Sequence, residues 1–132
     1  MELTLSIIIG LVTGVLSGLY SGLVVARISR FEELRNEVKR IILGFEFMYD
    51  GKTLELSMKR NVGDIVNASC DLIGFGHKAA GEVALSIHGE MSKALCLPTT
   101  YQAVESGFAQ WQKSCREMKP NMKVILSLRP WF

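Results

Sequence analysis

The sequence predicts a mainly α-helical protein in which a single N-terminal transmembrane helix continues into a cytosolic helical bundle, with room for a small β-hairpin or a C-terminal strand. Three observations lead there. Residues 3–26 form an uninterrupted apolar run, charged residues are nearly absent before Arg27 and frequent after it, and most later apolar residues recur at steps of three and four. A chain of 132 residues has room for one span and one small soluble core. The expected division is a transmembrane helix over 1–27, a juxtamembrane stalk helix over 28–49 and a small, mainly helical domain over 50–132.

The apolar run of about 24 residues extends about 36 Å as a helix, against a hydrocarbon core of about 30 Å, so it spans with some tilt. Val24-Val25-Ala26 loosely resembles a signal-peptide cleavage site, but only the terminal amine and Glu2 precede the run. A cleaved leader has a basic N-terminus and a shorter apolar core, so retention as an anchor is expected.

Within the run Gly10, Gly14, Gly18 and Gly22 recur every fourth residue and fall in one line down the helix. Each glycine costs a helix interior roughly 0.5 to 1 kcal/mol relative to alanine. The compensation expected is close backbone approach to a second helix, a glycine zipper. Beside that line run Thr13, Ser17 and Ser21, with Ser6 above them, while Leu5, Ile8, Val12, Leu19 and Leu23 occupy the opposite side. The bulky face suits lipid, and the small face suits helix contacts or, in a ring of subunits, a narrow polar lumen. Ser6, Thr13, Ser17 and Ser21 are therefore candidate pore-lining residues, although such hydroxyls also bond their own helix carbonyls. Tyr20 sits where an interfacial aromatic belongs.

Orientation follows from charge. Arg27, Arg30, Arg35, Lys39 and Arg40 all follow the span and none precedes it, so the positive-inside rule expects the C-terminal domain in the cytoplasm, as in a single-pass protein of a bacterial inner membrane. Cys70, Cys96 and Cys115 are odd in number and widely spaced, which suits reduced thiols better than a disulfide framework. A formal charge of +2 is too small to point to nucleic acid. The basic excess at Arg27, Arg30 and Arg35 reads as a topology signal with some attraction to anionic head groups.

No proline or glycine interrupts residues 23–43, so the span is expected to continue as a stiff stalk. Its seam of Phe31, Leu34, Val38, Ile41, Phe45 and Met48 either zips subunits together or docks on the chain's own domain, and both readings stand equally. On the outer face Glu32 with Arg35 and Glu37 with Arg40 are spaced to pair across one turn. Asp50-Gly51 signals a turn. After it, Leu54, Met58, Val62, Ile65, Val66, Ser69 and Leu72 fit a helical face, which is preferred to a type I′ hairpin even though residues 53–58 partly alternate.

Gly74, Gly76 and Gly81 predict a break near 74–76, after which Ala80, Ala84, Ile87, Met91 and Ala94 restore helical spacing up to Cys96. Pro98 stops that helix, and Thr99 with Gln102 has capping-box spacing for the next. Tyr101, Val104, Phe108, Trp111, Cys115 and Met118 form a long apolar stripe of the kind that builds a core. Pro120-Asn121 ends it, and Val124, Ile125, Leu126 and Leu128 form a final helix or a strand beside Leu54. The tail 129–132 is expected to pack on the domain rather than dip into the membrane interface.

Enzymatic chemistry finds little purchase. Gly51-Lys52-Thr53 resembles the end of a phosphate-binding loop, but Glu46 stands where its first glycine is required. His77 and His88 are too far apart for a helical metal pair, and Cys70 with His77 makes at most two ligands. Asp64 and Asp71 are seven apart and fit one helical face, but helix solubility explains them equally well. No nucleophile, base and acid share a recognisable spacing, and nothing in an Arg-x4-His arrangement precedes either histidine. No catalytic residue, cofactor or metal is expected. The expectation is a membrane-anchored homo-oligomer held by Gly10, Gly14, Gly18 and Gly22, forming a pore or membrane-perturbing effector controlled by its cytosolic domain. A membrane-tethered adaptor or sensor is the alternative. Expected partners are membrane lipid, further copies of the chain and an unidentified protein or small-molecule trigger, with no nucleic acid.

Overall fold

With no helix breaker at the end of the apolar run, the first helix has no local reason to stop there. In a computed structural model of the chain it does not: α1 spans Glu2–Leu43, 42 residues and about 63 Å of continuous helix. The structure describes residues 1–97 and 100–128. After α1 come two strands, β1 (Phe45–Tyr49) and β2 (Leu54–Met58), then α2 (Gly63–Gly74), α3 (Lys78–Cys96), α4 (Tyr101–Glu117) and the one-turn α5 (Met122–Ile125). The mainly helical class stands, with a two-stranded antiparallel sheet as its β component.

The core forms where the lower half of α1 meets α2 and α4, with α3 packed on both of those helices. Phe31, Leu34, Val38, Ile41 and Phe45 of the seam are buried there against Ile65, Leu72, Ala84, Ile87, Met91, Val104 and Trp111. The seam therefore docks on the chain's own domain, and only Met48 of the expected set lies out, 74% exposed. On the outer face the ion pairs form as spaced, Arg35–Glu32 at 2.5 Å and Arg40–Glu37 at 3.7 Å, with Arg60 joining Glu37 at 3.1 Å. Such exposed pairs add little stability.

Two expectations for the middle of the chain are corrected. The stalk helix ends at Leu43 rather than continuing to 49, and the segment after Asp50 is a strand rather than a helix. Gly44 closes α1, and the alternating Phe45-Glu46-Phe47-Met48-Tyr49 then pairs in register with β2, Phe45 opposite Met58 and Tyr49 opposite Leu54. Aromatic residues favour a pleated, half-buried surface. Phe45 meets Trp111 edge-on at 5.3 Å between ring centroids, and Phe47 lies 6.0 Å from Phe108. The turn is fixed by Asp50, whose Oδ1 accepts from the backbone N–H of Lys52 and Thr53 at 3.0 and 2.8 Å, while Gly51 takes φ +90. Those donors hold the Asp50 carboxyl below its usual range.

The glycine break falls as expected, with Gly76 at φ +84 between α2 and α3. Gly81 lets these two helices touch. A Cβ there would stand 2.5 Å from Ile73 Cγ1 and 3.0 Å from the Ser69 carbonyl oxygen, and Ser69 Oγ donates to Gly81 O at 2.7 Å. Gly81→Ala gains about 1 kcal/mol of helix propensity but meets an overpacking cost of roughly 1–3 kcal/mol, because one obstacle is backbone. The net expectation is a loss of about 1 kcal/mol, read as a melting temperature lower by about 4 °C for the detergent-solubilised chain.

Helix α4 is capped by Thr100, whose side chain accepts from Ala103 N at 3.4 Å. Thr99, the cap expected, lies outside the described residues, as does the tail 129–132. The stripe is core, with Val104, Trp111, Cys115 and Met118 buried, and Trp111 Nε1 donates to Glu90 at 2.8 Å. The strand alternative for residues 124–128 is not taken up: Asn121 accepts from Lys123 N at 3.1 Å and starts α5, which packs on α1. Among the described residues β2 pairs with β1 and no third strand lies beside Leu54.

Candidate membrane anchor and juxtamembrane site

Before Tyr20, α1 is exposed along its whole length. Its most apolar stretch is long and hydrophobic enough to cross a membrane, and none of it is buried within the chain. Gly10, Gly14, Gly18 and Gly22 all face open space, for a Cβ added at any of them would meet no atom within 4 Å. Close packing among the described residues is thus no reason for glycine there. Of the candidate pore-lining set, Thr13 Oγ1 donates to Ile9 O at 2.8 Å, Ser17 Oγ to Gly14 O and Ser21 Oγ to Gly18 O, both at 3.1 Å. Ser6 is exposed with them. The three bonded hydroxyls are satisfied by their own helix and require neither water nor a partner.

The three arginines expected to lie beside the membrane occupy different environments. Arg30 pairs with Glu33 at 3.0 Å and lies over the Phe75 ring, 5.6 Å from its centroid, and Arg35 pairs with Glu32. Arg27 is 4% exposed. Its Nη1 donates to the carbonyl oxygens of Val124 at 2.9 Å, of Ile125 at 3.0 Å and of Ser127. Val124 O also accepts from Ser127 N at 3.2 Å and from Ser127 Oγ at 2.9 Å, so the arginine adds to a turn that is already partly closed and extends it to Ile125 and Ser127. Seven residues further up α1, Tyr20 Oη donates to Leu126 O at 3.0 Å. The residues ending the apolar run and those ending the described chain form one structure.

A second junction ties α5 to the α2–α3 turn. Asn121 N donates to His77 Nδ1 at 3.0 Å, and Asn121 Nδ2 donates to Gly76 O at 3.2 Å. His77 is 2% exposed and meets the Phe31 ring edge-on at 4.9 Å. Because Nδ1 accepts, the neutral ring carries its proton on Nε2, which is buried without a partner among the described residues. Burial pushes the His77 pKa below its ordinary value. A histidine lowered on folding binds more protons unfolded than folded, so stability is complete above the ordinary range near 6.5 and is lost as pH falls through the lowered value. The melting temperature is expected to fall between pH 7.5 and 5.5, with a slope of at most about 1.4 kcal/mol per pH unit from this group. His77→Gln should flatten that slope.

Beside His77 lies an open cleft of about 570 Å³, lined also by Lys78, Glu82, Lys119 and Asn121. It sits at the start of α3, which has no side-chain cap. Among the described residues no three His, Cys, Asp or Glu side chains gather as a metal would require. Cys70 and Cys96 are exposed, whereas Cys115 is buried, donates to Arg35 O at 3.6 Å and has its thiol pKa pushed up by that burial. Gly51-Lys52-Thr53 forms the hairpin turn.

Sequence reasoning singled out Arg27 but assigned it only a charge, and it missed Tyr20, His77 and Asn121 as ties to the C-terminal segment. The available signal was Pro120-Asn121 ahead of a short apolar stretch, the start of a capped turn. Comparison with protein families, curated proteins and solved structures finds no match for this chain.

Proposed function

We propose that the chain is a membrane-anchored homo-oligomer whose transmembrane helices meet along Gly10, Gly14, Gly18 and Gly22, with the cytosolic domain setting how the spans are presented. One observation carries this reading. The domain already occupies the lower seam of α1, while the glycine line, costly to helix stability, packs against no other element among the described residues. In lipid a ridge of small residues gains from backbone contact with another helix. Assembly of this kind forms a sealed contact or, in a ring, a pore or membrane-perturbing effector. The back-bonded hydroxyls of Thr13, Ser17 and Ser21 favour the sealed contact.

A tethered sensor is the second reading, and the cleft beside His77 favours it, since two lysines and an uncapped helix start face a space that a small anionic signal would fit. The mass of the detergent-solubilised chain, with dye leakage from liposomes containing it, separates the readings. An oligomer with leakage supports the pore, an oligomer without leakage supports a zipped anchor, and a leak-free monomer overturns self-association.

A further inference from the structure

The carbonyls of residues 124–127 are bound by Arg27 and Tyr20 of α1, so this segment runs along the helix over a rise of about 10 Å. Ile125 is buried against the domain, and three of the segment's apolar side chains face outward. Met122, Leu126 and Leu128 are 52%, 50% and 80% exposed, and beside them on α1 Tyr20, Leu23 and Ile28 are exposed too. Through the Tyr20–Leu126 hydrogen bond the exposed apolar surface of α1 adjoins that of the C-terminal segment. Between residues 122 and 128 the single charge is Lys123, next to the lower end of that surface.

Depth decides what covers it. Tyr20 lies six residues inside the end of the apolar run, about 9 Å along the helix, and the run exceeds the hydrocarbon thickness by about 6 Å. A tyrosine there stands at the interfacial level favoured by aromatic residues, and Leu126, joined to its hydroxyl, stands at the same level. Backbone enters that zone only with its polar groups satisfied, which the donors of Arg27 and Tyr20 provide.

Resting on the spanning reading of α1, we infer that residues 122–128 form a second lipid contact. The segment lies in the boundary between head groups and acyl chains on the side of the soluble domain, with Leu126 and Leu128 among the upper acyl carbons and Lys123 at the phosphates. It forms a collar on the emerging helix, and Arg27 crosses the boundary with its charge turned to peptide carbonyls instead of lipid.

The test is fluorescence of an environment-sensitive nitrobenzoxadiazole label in phosphatidylcholine vesicles that carry nitroxides at a shallow or a deep acyl position. The full chain is used with Cys70→Ser and Cys96→Ser, and single cysteines are introduced by Leu128→Cys, by Leu11→Cys within the span and by Lys59→Cys at the far end of α1. The label at position 128 is expected to shift to the blue on reconstitution and to be quenched at least twofold more by shallow than by deep nitroxides. At position 11 the deep nitroxide dominates, and at position 59 neither quenches. Quenching at 11 but not at 128 overturns the collar and leaves the span standing. Absence of quenching at 11 removes the span and the collar with it, and equal quenching at 59 and 128 overturns the collar in favour of general adsorption.

Discussion

Replacing Arg27 with alanine is expected to release the C-terminal segment while leaving the rest of the domain folded. The guanidinium is buried, and charge-assisted hydrogen bonds of this kind contribute roughly 1.5–3 kcal/mol. Its removal also strips donors from the carbonyls of Val124, Ile125 and Ser127, at the end where a helix dipole prefers a cation. α5 is a single turn, with too little propensity of its own to survive that loss. Opening of the segment is thus expected to become easier by about 3 kcal/mol, or roughly a hundredfold in the opening equilibrium. Hydrogen exchange at residues 122–126 and tryptic cleavage after Lys123 read this directly. The far-UV spectrum and the Phe31, Val38 and Trp111 core should change little, because the His77–Asn121 tie and α1 to α4 stay in place. Arg27→Lys should recover part of the protection, since the shorter ammonium keeps the charge but loses the reach of the guanidinium. Unchanged exchange in Arg27→Ala would show that the carbonyl contacts do not hold the segment.

Why Arg27 was legible only as a charge is instructive about sequence. Its position after the apolar run is a local fact, whereas its partners lie almost a hundred residues away, beyond any periodicity. The elements recovered from sequence alone, α1 through the boundary, the α2–α3 break, α3 and the α4 stripe, are those whose apolar spacing persists over three turns or more. The hairpin escaped because Leu54 and Met58 are four apart, which satisfies a helix and, by parity, a strand. What decides between them is pairing with Phe45 and Phe47, of which Phe45 also fits the stalk seam. The seam itself was legible as a contact face, but its partner was not, since three-and-four spacing is the same for a neighbouring helix of this chain and for another copy. His77 and Asn121 meet only because the α2–α3 turn brings one beneath the other.

The glycine line is legible in the same way, as a face without a named partner, and substitution there gives an unusually clean experiment. Among the described residues a Cβ at Gly14 or Gly18 meets open space, so Gly14→Leu and Gly18→Leu are expected to carry no packing penalty within the chain. Each also gains about 1 kcal/mol of helix propensity, and the added apolar surface suits lipid. Insertion, helicity and melting temperature should equal or exceed those of the parent. Between copies the outcome reverses, because a leucine at the ridge holds two backbones apart and removes the contact that small residues permit. Self-association in detergent is expected to weaken roughly tenfold per site, about 1.4 kcal/mol each, so that the double variant sediments as a monomer where the parent does not. Leu19→Ala, on the opposite face, should leave assembly unchanged. Dye leakage, where the parent shows it, should disappear with the oligomer. A tethered sensor predicts the contrary, with ligand capture at the His77 cleft unaltered in the double variant and lost on substituting Lys78 and Lys119. A stable, correctly inserted double variant that assembles as the parent does would leave the four glycines without a role in contact, and self-association would then have to run through another face of the chain.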